Sequence, residues 1–187
     1  LLLSDQFYGQ DYFDRVKIIS NTINADDTSR FLKDAFDCED HYEDKFIDDL
    51  ITSQNKFEKE EMPSVALICD DLLGNVRREA KLNHISSRFR HSNIQLLYYS
   101  SQNFRKVSNI IRQNATNVII GSPFPNHKEL EKIAEEYADQ YGGADNFFKI
   151  YKIATPNRYD FLHLDLQQNP PHAYRNFETL ISIGDKI

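Results

Sequence analysis

Two adjacent carboxylates, Asp70 and Asp71, close the apolar run Val65-Ala66-Leu67-Ile68-Cys69. A short stretch of small and β-branched residues, opened by Met62-Pro63-Ser64 and ended by acids, reads as a fully buried strand of a parallel sheet. Open α/β folds place ligands at the carboxyl ends of such strands, and two acids there put one carboxylate on each side of the strand end. Phosphate-transferring enzymes use that pair. One acid holds Mg²⁺, usually through water, and the other orients the attacking water. The plainer reading is a buried strand running into an Asx-type turn.

Gln102 follows the next apolar strand. An amide there can hydrogen-bond a γ-phosphate oxygen or the attacking water, or simply satisfy local backbone. Arg90 lies in Arg88-Phe89-Arg90-His91-Ser92-Asn93, and Arg112 in Ile110-Ile111-Arg112-Gln113-Asn114. In a ring of identical subunits either arginine can reach a neighbour's nucleotide and neutralise transition-state charge. Each can equally complement a helix C-terminus. Asp pairs at strand ends also hold the metal ions of phosphodiester cleavage. Such a nuclease needs further carboxylates, for which Asp14 and Asp165 are available.

These side chains need a scaffold, and hydrophobic periodicity outlines one. Residues 1–8 read as the end of a helix stopped at Gly9, and 13–20 (FDRVKIIS) as the first strand, with Asn21-Thr22 opening a loop. Asp26-Asp27-Thr28-Ser29 offers an N-cap to a short helix over 30–36. The acidic run 37–44 reads as a loop or helix start. An amphipathic helix follows over 44–61, with Phe46, Ile47, Leu50, Ile51 and Phe57 near helical spacing. After the strand at 65–70, Asn75 caps a helix over 76–88. A strand at 94–100, a short helix at 107–113 and a strand at 117–121 come next. The turn Ser122-Pro123-Phe124-Pro125-Asn126 opens a helix over 128–141, which Gly142-Gly143 ends. Residues 147–154 and 159–166 read as a terminal β-hairpin around Thr155-Pro156-Asn157-Arg158. Its aromatics Phe147, Phe148, Tyr151 and Tyr159 then belong to a hairpin core rather than a base-stacking platform. The tail, with Asn169-Pro170-Pro171, holds at most one further short element. The expected fold is α/β, a mainly parallel sheet with helices on both faces and a C-terminal β-hairpin, in one domain over 1–187.

Composition narrows the class. With 40% hydrophobic and 12% aromatic residues in 187, the chain can bury a proper core. No apolar run approaches the ~20 residues needed to cross a bilayer. Cys38 and Cys69 stand alone, without zinc-ligand spacing, as in a reduced intracellular protein. The net charge of −7 is unevenly spread. Residues 1–75 carry 18 acids and 7 bases, residues 76–112 carry 8 bases and the single acid Glu79, and residues 113–187 carry 10 acids and 7 bases. The basic middle segment is suited to phosphate, or to pairing with the acidic first part.

The acid-terminated strand, Arg90-His91, the strand ending in Ser101-Gln102 and the segment around Arg112 occur in an order and spacing that resemble one family. These are the genome-packaging ATPases of poxviruses, giant viruses and virophages, within the FtsK/HerA superfamily of ring translocases. The resemblance runs to about Asp165. In that family a phosphate loop and its lysine precede a leucine-rich helix and then a strand. Leu1-Leu2-Leu3-Ser4 looks like the rest of that helix, and residues 13–20 like that strand.

The resemblance implies a RecA/FtsK-like P-loop NTPase sheet using ATP and Mg²⁺. Asp70 would be the nucleotide-site acid that coordinates Mg²⁺ in the Walker B motif, and Asp71 the acid that polarises water, at a position where many members have Glu. Gln102 would be the sensor, and Arg90 or Arg112 the trans-acting arginine. It also implies double-stranded DNA as partner, a pentameric or hexameric ring of identical subunits, contact with capsid proteins, and location in the virion or virus factory. One departure stands out: no GxxxxGK[ST] occurs anywhere in the chain. That loop holds the β- and γ-phosphates and ligates Mg²⁺. The chain alone is therefore expected to bind ATP poorly, as a C-terminal part of a longer or split protein whose Walker A portion lies upstream of residue 1, or as one that has lost catalysis. A non-catalytic α/β assembly or adaptor subunit is the alternative, and a Mg²⁺-dependent nuclease a further one.

Overall fold

Strand β3, Val65–Asp70, lies near the middle of a four-stranded parallel sheet and is buried on both faces, with Val65, Ala66, Leu67 and Cys69 fully enclosed. The computed structural model describes residues 11–25, 30–72, 80–122 and 127–182. The helix at 1–8, the cap at 26–29, Asn75 with the start of its helix, and the turn at 123–126 lie outside the described residues. The chain divides into two compact units, Leu1–Ile111 and Arg112–Ile187.

In the first unit β1 (Arg15–Ser20) pairs with β3 in parallel over its whole length, from Arg15 opposite Val65 to Ser20 opposite Asp70. The strand order is β2-β1-β3-β4, with β2 at Asp37–Glu39 and β4 at Ile94–Tyr99 as the edges. Helices α1 (Arg30–Ala35), α2 (Asp44–Gln54) and α3 (Lys81–Ile85) connect them. The core joins Ile19, Val65, Leu67, Cys69 and Ile94 of the sheet to Ile47 and Leu50 of α2 and to Leu82 and Ile85 of α3. Each such aliphatic side chain contributes about 1.5–3 kcal/mol relative to exposure. Gln54 is fully buried at the end of α2, and its Nε2 donates to the carbonyls of Pro63 (2.7 Å) and Ser92 (2.9 Å). That amide ties α2 to the segments entering β3 and β4.

The acidic run read as a loop contains strand β2. Apolar pattern does not make it one, since Asp37-Cys38-Glu39 has none. Pairing with β1 does, reinforced by Lys17, whose Nζ reaches Asp37 at 2.9 Å and Glu39 at 3.2 Å. The predicted helix over 44–61 stops at Gln54, and Asn55 caps it by donating its N–H to Ile51 O.

The second unit holds a separate antiparallel sheet, β5 (Asn117–Gly121), β6 (Phe161–Asp165), β7 (His172–Arg175) and β8 (Thr179–Leu180), in that order. Two expectations are corrected here. Residues 117–121 do form a strand, but it runs antiparallel to β6 instead of extending the parallel sheet. The segment 147–154 is no hairpin strand. It belongs to helix α6, Ala144–Ala154, with Phe147, Ile150 and Ala154 buried. Those positions recur at i, i+3 and i+7, and one helical face takes them all. Of the presumed hairpin aromatics, Phe147 is indeed core, while Tyr159 is 77% exposed. The tail carries two strands, β7 and β8. Helix α5, His127–Tyr137, ends through a 3₁₀ turn to Tyr141, followed by Gly142 (φ 83°) and Gly143 (φ 97°). The left-handed φ of Gly142 is what calls for glycine there, since the one atom a Cβ would crowd is the movable end of the Asn146 side chain. The remaining helix, α4 (Asn109–Gln113), spans the boundary between the units. No helix among the described residues is long and apolar enough to cross a membrane.

Candidate functional site

Because β1, β3 and β4 run parallel and in step, their polar last residues arrive together. Ser20 sits opposite Asp70, and Ser100 follows Tyr99, the partner of Cys69. Asp70 is gripped from both sides: Ser20 Oγ donates to Oδ2 at 2.9 Å, and Ser100 Oγ donates to Oδ1. Ser100 Oγ also accepts the N–H of Asp71 at 3.2 Å. On the other side Asn21 Nδ2 donates to the Asp71 carbonyl at 2.9 Å. Asp71 thereby leaves the strand in the left-handed region, φ 46°. Gln102 Nε2 stands 3.4 Å from Asp71 Oδ2, while Asp71 Oδ1 is buried with no hydrogen-bond partner among the described residues. The acid pair and the amide expected from the sequence are thus one cluster at the carboxyl end of the sheet.

Beneath the cluster the residues are inert. Burial, and then the charge of Asp70, push the Cys69 thiol up to about 12, so it stays protonated. Burial likewise raises Tyr98, and raises Tyr99 to about 12. Two bases, Arg105 and Lys106, occupy the 3₁₀ turn Phe104–Lys106 directly after Gln102, and both are exposed.

Arg90 falls at the other end of the first unit's sheet. Arg90 lies in the 3₁₀ turn Phe89–Ser92 that leads into β4, at the amino end of the sheet. A six-residue strand at about 3.3 Å per residue separates that end from Asp70, roughly 20 Å. Arg90 is exposed, with its guanidinium 5.5 Å from the Phe89 ring centroid. Arg112 belongs to the second unit, where its Nε donates to Glu136 Oε2 at 2.8 Å. Pairing of the basic segment with the acidic first part is realised at Lys81, whose Nζ meets Asp48 at 2.7 Å. Arg88, Arg90, Arg105 and Lys106 join no ion pair among the described residues.

Of the two extra acids, Asp14 stands at the opposite end of the sheet from the pair. Asp14 is held at the amino end of β1, where Ser64 donates both its N–H (2.7 Å) and its hydroxyl (2.9 Å) to Asp14 Oδ2. Asp165 ends β6 in the second unit and accepts from the Gln167 N–H at 3.0 Å and Gln168 Nε2 at 3.2 Å. Among the described residues no three His, Cys, Asp or Glu side chains gather as a metal site. Asp70 with its two hydroxyls is a hard, all-oxygen set. It fits Mg²⁺, which keeps most of its waters and takes one or two carboxylates. A triphosphate has no such fit, since the chain contains no phosphate loop.

Ser20, Asn21 and Ser100 were not singled out as site residues by sequence. The available signal was that all three adjacent parallel strands end in a side chain able to hydrogen-bond. Compared with protein-family models, with curated proteins and with solved structures, the chain matches none.

Proposed function

We propose that this chain is the acid-bearing part of a viral DNA-packaging motor ATPase, in which ATP hydrolysis drives double-stranded DNA into a capsid. The observation that supports it is the meeting of Asp70, Asp71 and Gln102 at the carboxyl end of a parallel sheet. In this reading Ser20 and Ser100 hold Asp70 so that its oxygens face the Mg²⁺ position. When bound, the ion neutralises charge on the phosphate oxygens. Asp71, turned out of the strand, orients the attacking water, and the Gln102 amide donates to the water or to the γ-phosphate. Arg105 and Lys106 add positive charge on the adjoining turn. Arg90 stands far from Asp70 of its own chain, so as a trans-acting arginine it would serve a neighbour's nucleotide. Arg112 is the other trans-acting candidate. The ring, the DNA and the capsid partner belong to the same proposal, as does location in the virion or virus factory.

The motor reading requires a phosphate loop, and this sequence contains none. Strand β4 is the sheet edge nearer to Asp70, and a parallel strand added there would end beside Ser100 and Gln102. The test is Mg²⁺·ATP binding and turnover by this chain and by a chain extended upstream through a phosphate loop. Turnover that needs the extension and disappears in Asp71→Asn supports the motor. If neither chain binds nucleotide, the motor reading falls and the non-catalytic adaptor replaces it.

A further inference from the structure

At the amino end of the first unit's sheet, away from Asp70 and Asp71, β1, α1 and α2 enclose an open groove of about 590 Å³. That volume lies within the range of sites that bury a whole ligand, about 300–1,000 Å³. Its apolar wall is Phe13, Val16, Phe36, Phe46 and Leu50. Of its charged lining, Lys17 is neutralised by Asp37 and Glu39, Arg15 is turned to Ser53 Oγ (3.0 Å) and the Phe57 ring, and Asp14 Oδ2 accepts both bonds from Ser64. Asp34 and Asp49 remain exposed and join no ion pair among the described residues. Aromatic rings beside free carboxylates suit a guanidinium, which pairs with the acids and lies on the rings.

The opposite edge of the same sheet offers that chemistry. Arg88 and Arg90 are exposed beside β4, at the same amino end, and neither has an ion-pair partner among the described residues. One edge is therefore acidic with an apolar wall, and the other basic. One molecule cannot bring its own two edges together, but a second copy can.

We propose that this groove receives Arg88 and Arg90 of a second copy of the chain, in a head-to-tail contact between opposite sheet edges. Such a heterologous contact repeats, closing into a ring where the rotation allows. The proposal deepens the homo-oligomer of the reading above and rests on it only for ring closure. The contact leaves the Asp70–Asp71 end uncovered and needs no nucleotide. With Arg90 engaged in the groove, the trans-acting role falls to Arg112.

Sedimentation velocity without nucleotide tests it, at about 0.1 M and about 1 M salt, where the screening length is about 10 Å and about 3 Å. The wild-type chain should associate at the lower salt and dissociate at the higher. Arg88→Glu/Arg90→Glu and Asp34→Arg/Asp49→Arg should each weaken association more than about a hundredfold, because like charges then face each other. An equimolar mixture of the two variants restores opposite charges at every contact and should associate again. A monomeric wild type at 0.1 M salt, variants that associate normally, or a mixture that stays monomeric would each overturn the proposal. So would loss of double-stranded DNA binding by Arg88→Glu/Arg90→Glu with its mass unchanged, since the bases would then serve nucleic acid. All four positions are exposed, so far-UV circular dichroism should be unaltered. Should a variant misfold, wild-type association that survives 1 M salt still refutes the idea. Mass is read separately from turnover, so loss of the ATPase reading leaves this result standing, and the reverse.

Discussion

Asp71 occupies a backbone conformation that an L-residue adopts at a cost, and replacing it should therefore stabilise the fold. The left-handed region costs a residue with a Cβ roughly 1–2 kcal/mol, at the low end for Asp and Asn. Asp71 also keeps Oδ1 buried with no partner among the described residues. An unmade hydrogen bond of that kind costs about 1–3 kcal/mol when fully buried, and at a half-buried residue the lower end applies. Against this, the Gln102 contact at 3.4 Å comes from an exposed amide and contributes little. In Asp71→Gly the strain and the orphaned oxygen both disappear, while glycine's extra freedom when unfolded costs about 0.5–1 kcal/mol. The balance is a gain of about 1 kcal/mol.

Urea unfolding of the series is the assay. With a slope of about 1–3 kcal/mol per molar, Asp71→Gly should raise the midpoint by about 0.3–1 M at unchanged slope. Asp71→Asn should stay close to wild type, because asparagine tolerates the same φ. Asp71→Ala keeps the strain and should fall below Asp71→Gly by about 0.5–1 kcal/mol, with the β-branched Asp71→Val lowest. A glycine variant less stable than wild type, or an alanine variant as stable as the glycine variant, would refute the argument that Asp71 is held against its own preference. The expected order describes a carboxylate kept in place at the expense of stability, as residues at functional sites commonly are.

Gln54→Ala should cost about 1–3 kcal/mol in the same assay, because the carbonyls of Pro63 and Ser92 lose their donor in the interior while the buried Gln54 Oε1, which has no partner among the described residues, is removed; a loss under about 1 kcal/mol would mean that water replaces the donor. Acid should destabilise the chain in two steps. Burial holds the His163 imidazole below its usual 6.5, only partly opposed by the Asp165 charge. The unfolded chain then takes up that proton first, and stability drops as pH falls from about 6.5 toward the lowered value. Hydrogen bonds from Ser64 hold the Asp14 carboxyl below 3.8, so its contribution is complete above 3.8 and lost as pH falls through the lowered value. Urea midpoints against pH should lose the upper step in His163→Gln, while Asp14→Asn should shrink the lower step without removing it, because the carboxyls of Asp40, Asp44 and Asp160 are also held below 3.8.

What the sequence disclosed, and what it hid, divides along one physical line. Strand β3 was legible because a strand buried on both faces must be apolar along its enclosed length, a property of the five consecutive residues Val65 to Cys69. Asp70, Asp71 and Gln102 were legible for the complementary reason: polar groups after such strands mark the sheet's carboxyl end. Partner choice was not legible. The run 117–121 announces a strand, yet nothing within it says that its neighbour is β6 and antiparallel rather than β4 and parallel. The segment 147–154 is apolar enough to suit either period, and burial of Phe147, Ile150 and Ala154 on one face decides for helix. Strand β2 has no apolar signal at all and exists through its neighbour β1 and through Lys17. The site shows the same division. Ser20 and Ser100 lie far apart in sequence, and only the register of three parallel strands sets them on either side of Asp70. Arg90 was visible as a base, but the end of the sheet it occupies follows from the direction of β4. Residue type therefore proposes the chemistry, and pairing decides which of the proposed residues can share it: Asp70, Asp71 and Gln102 do, and Arg90 of the same chain does not.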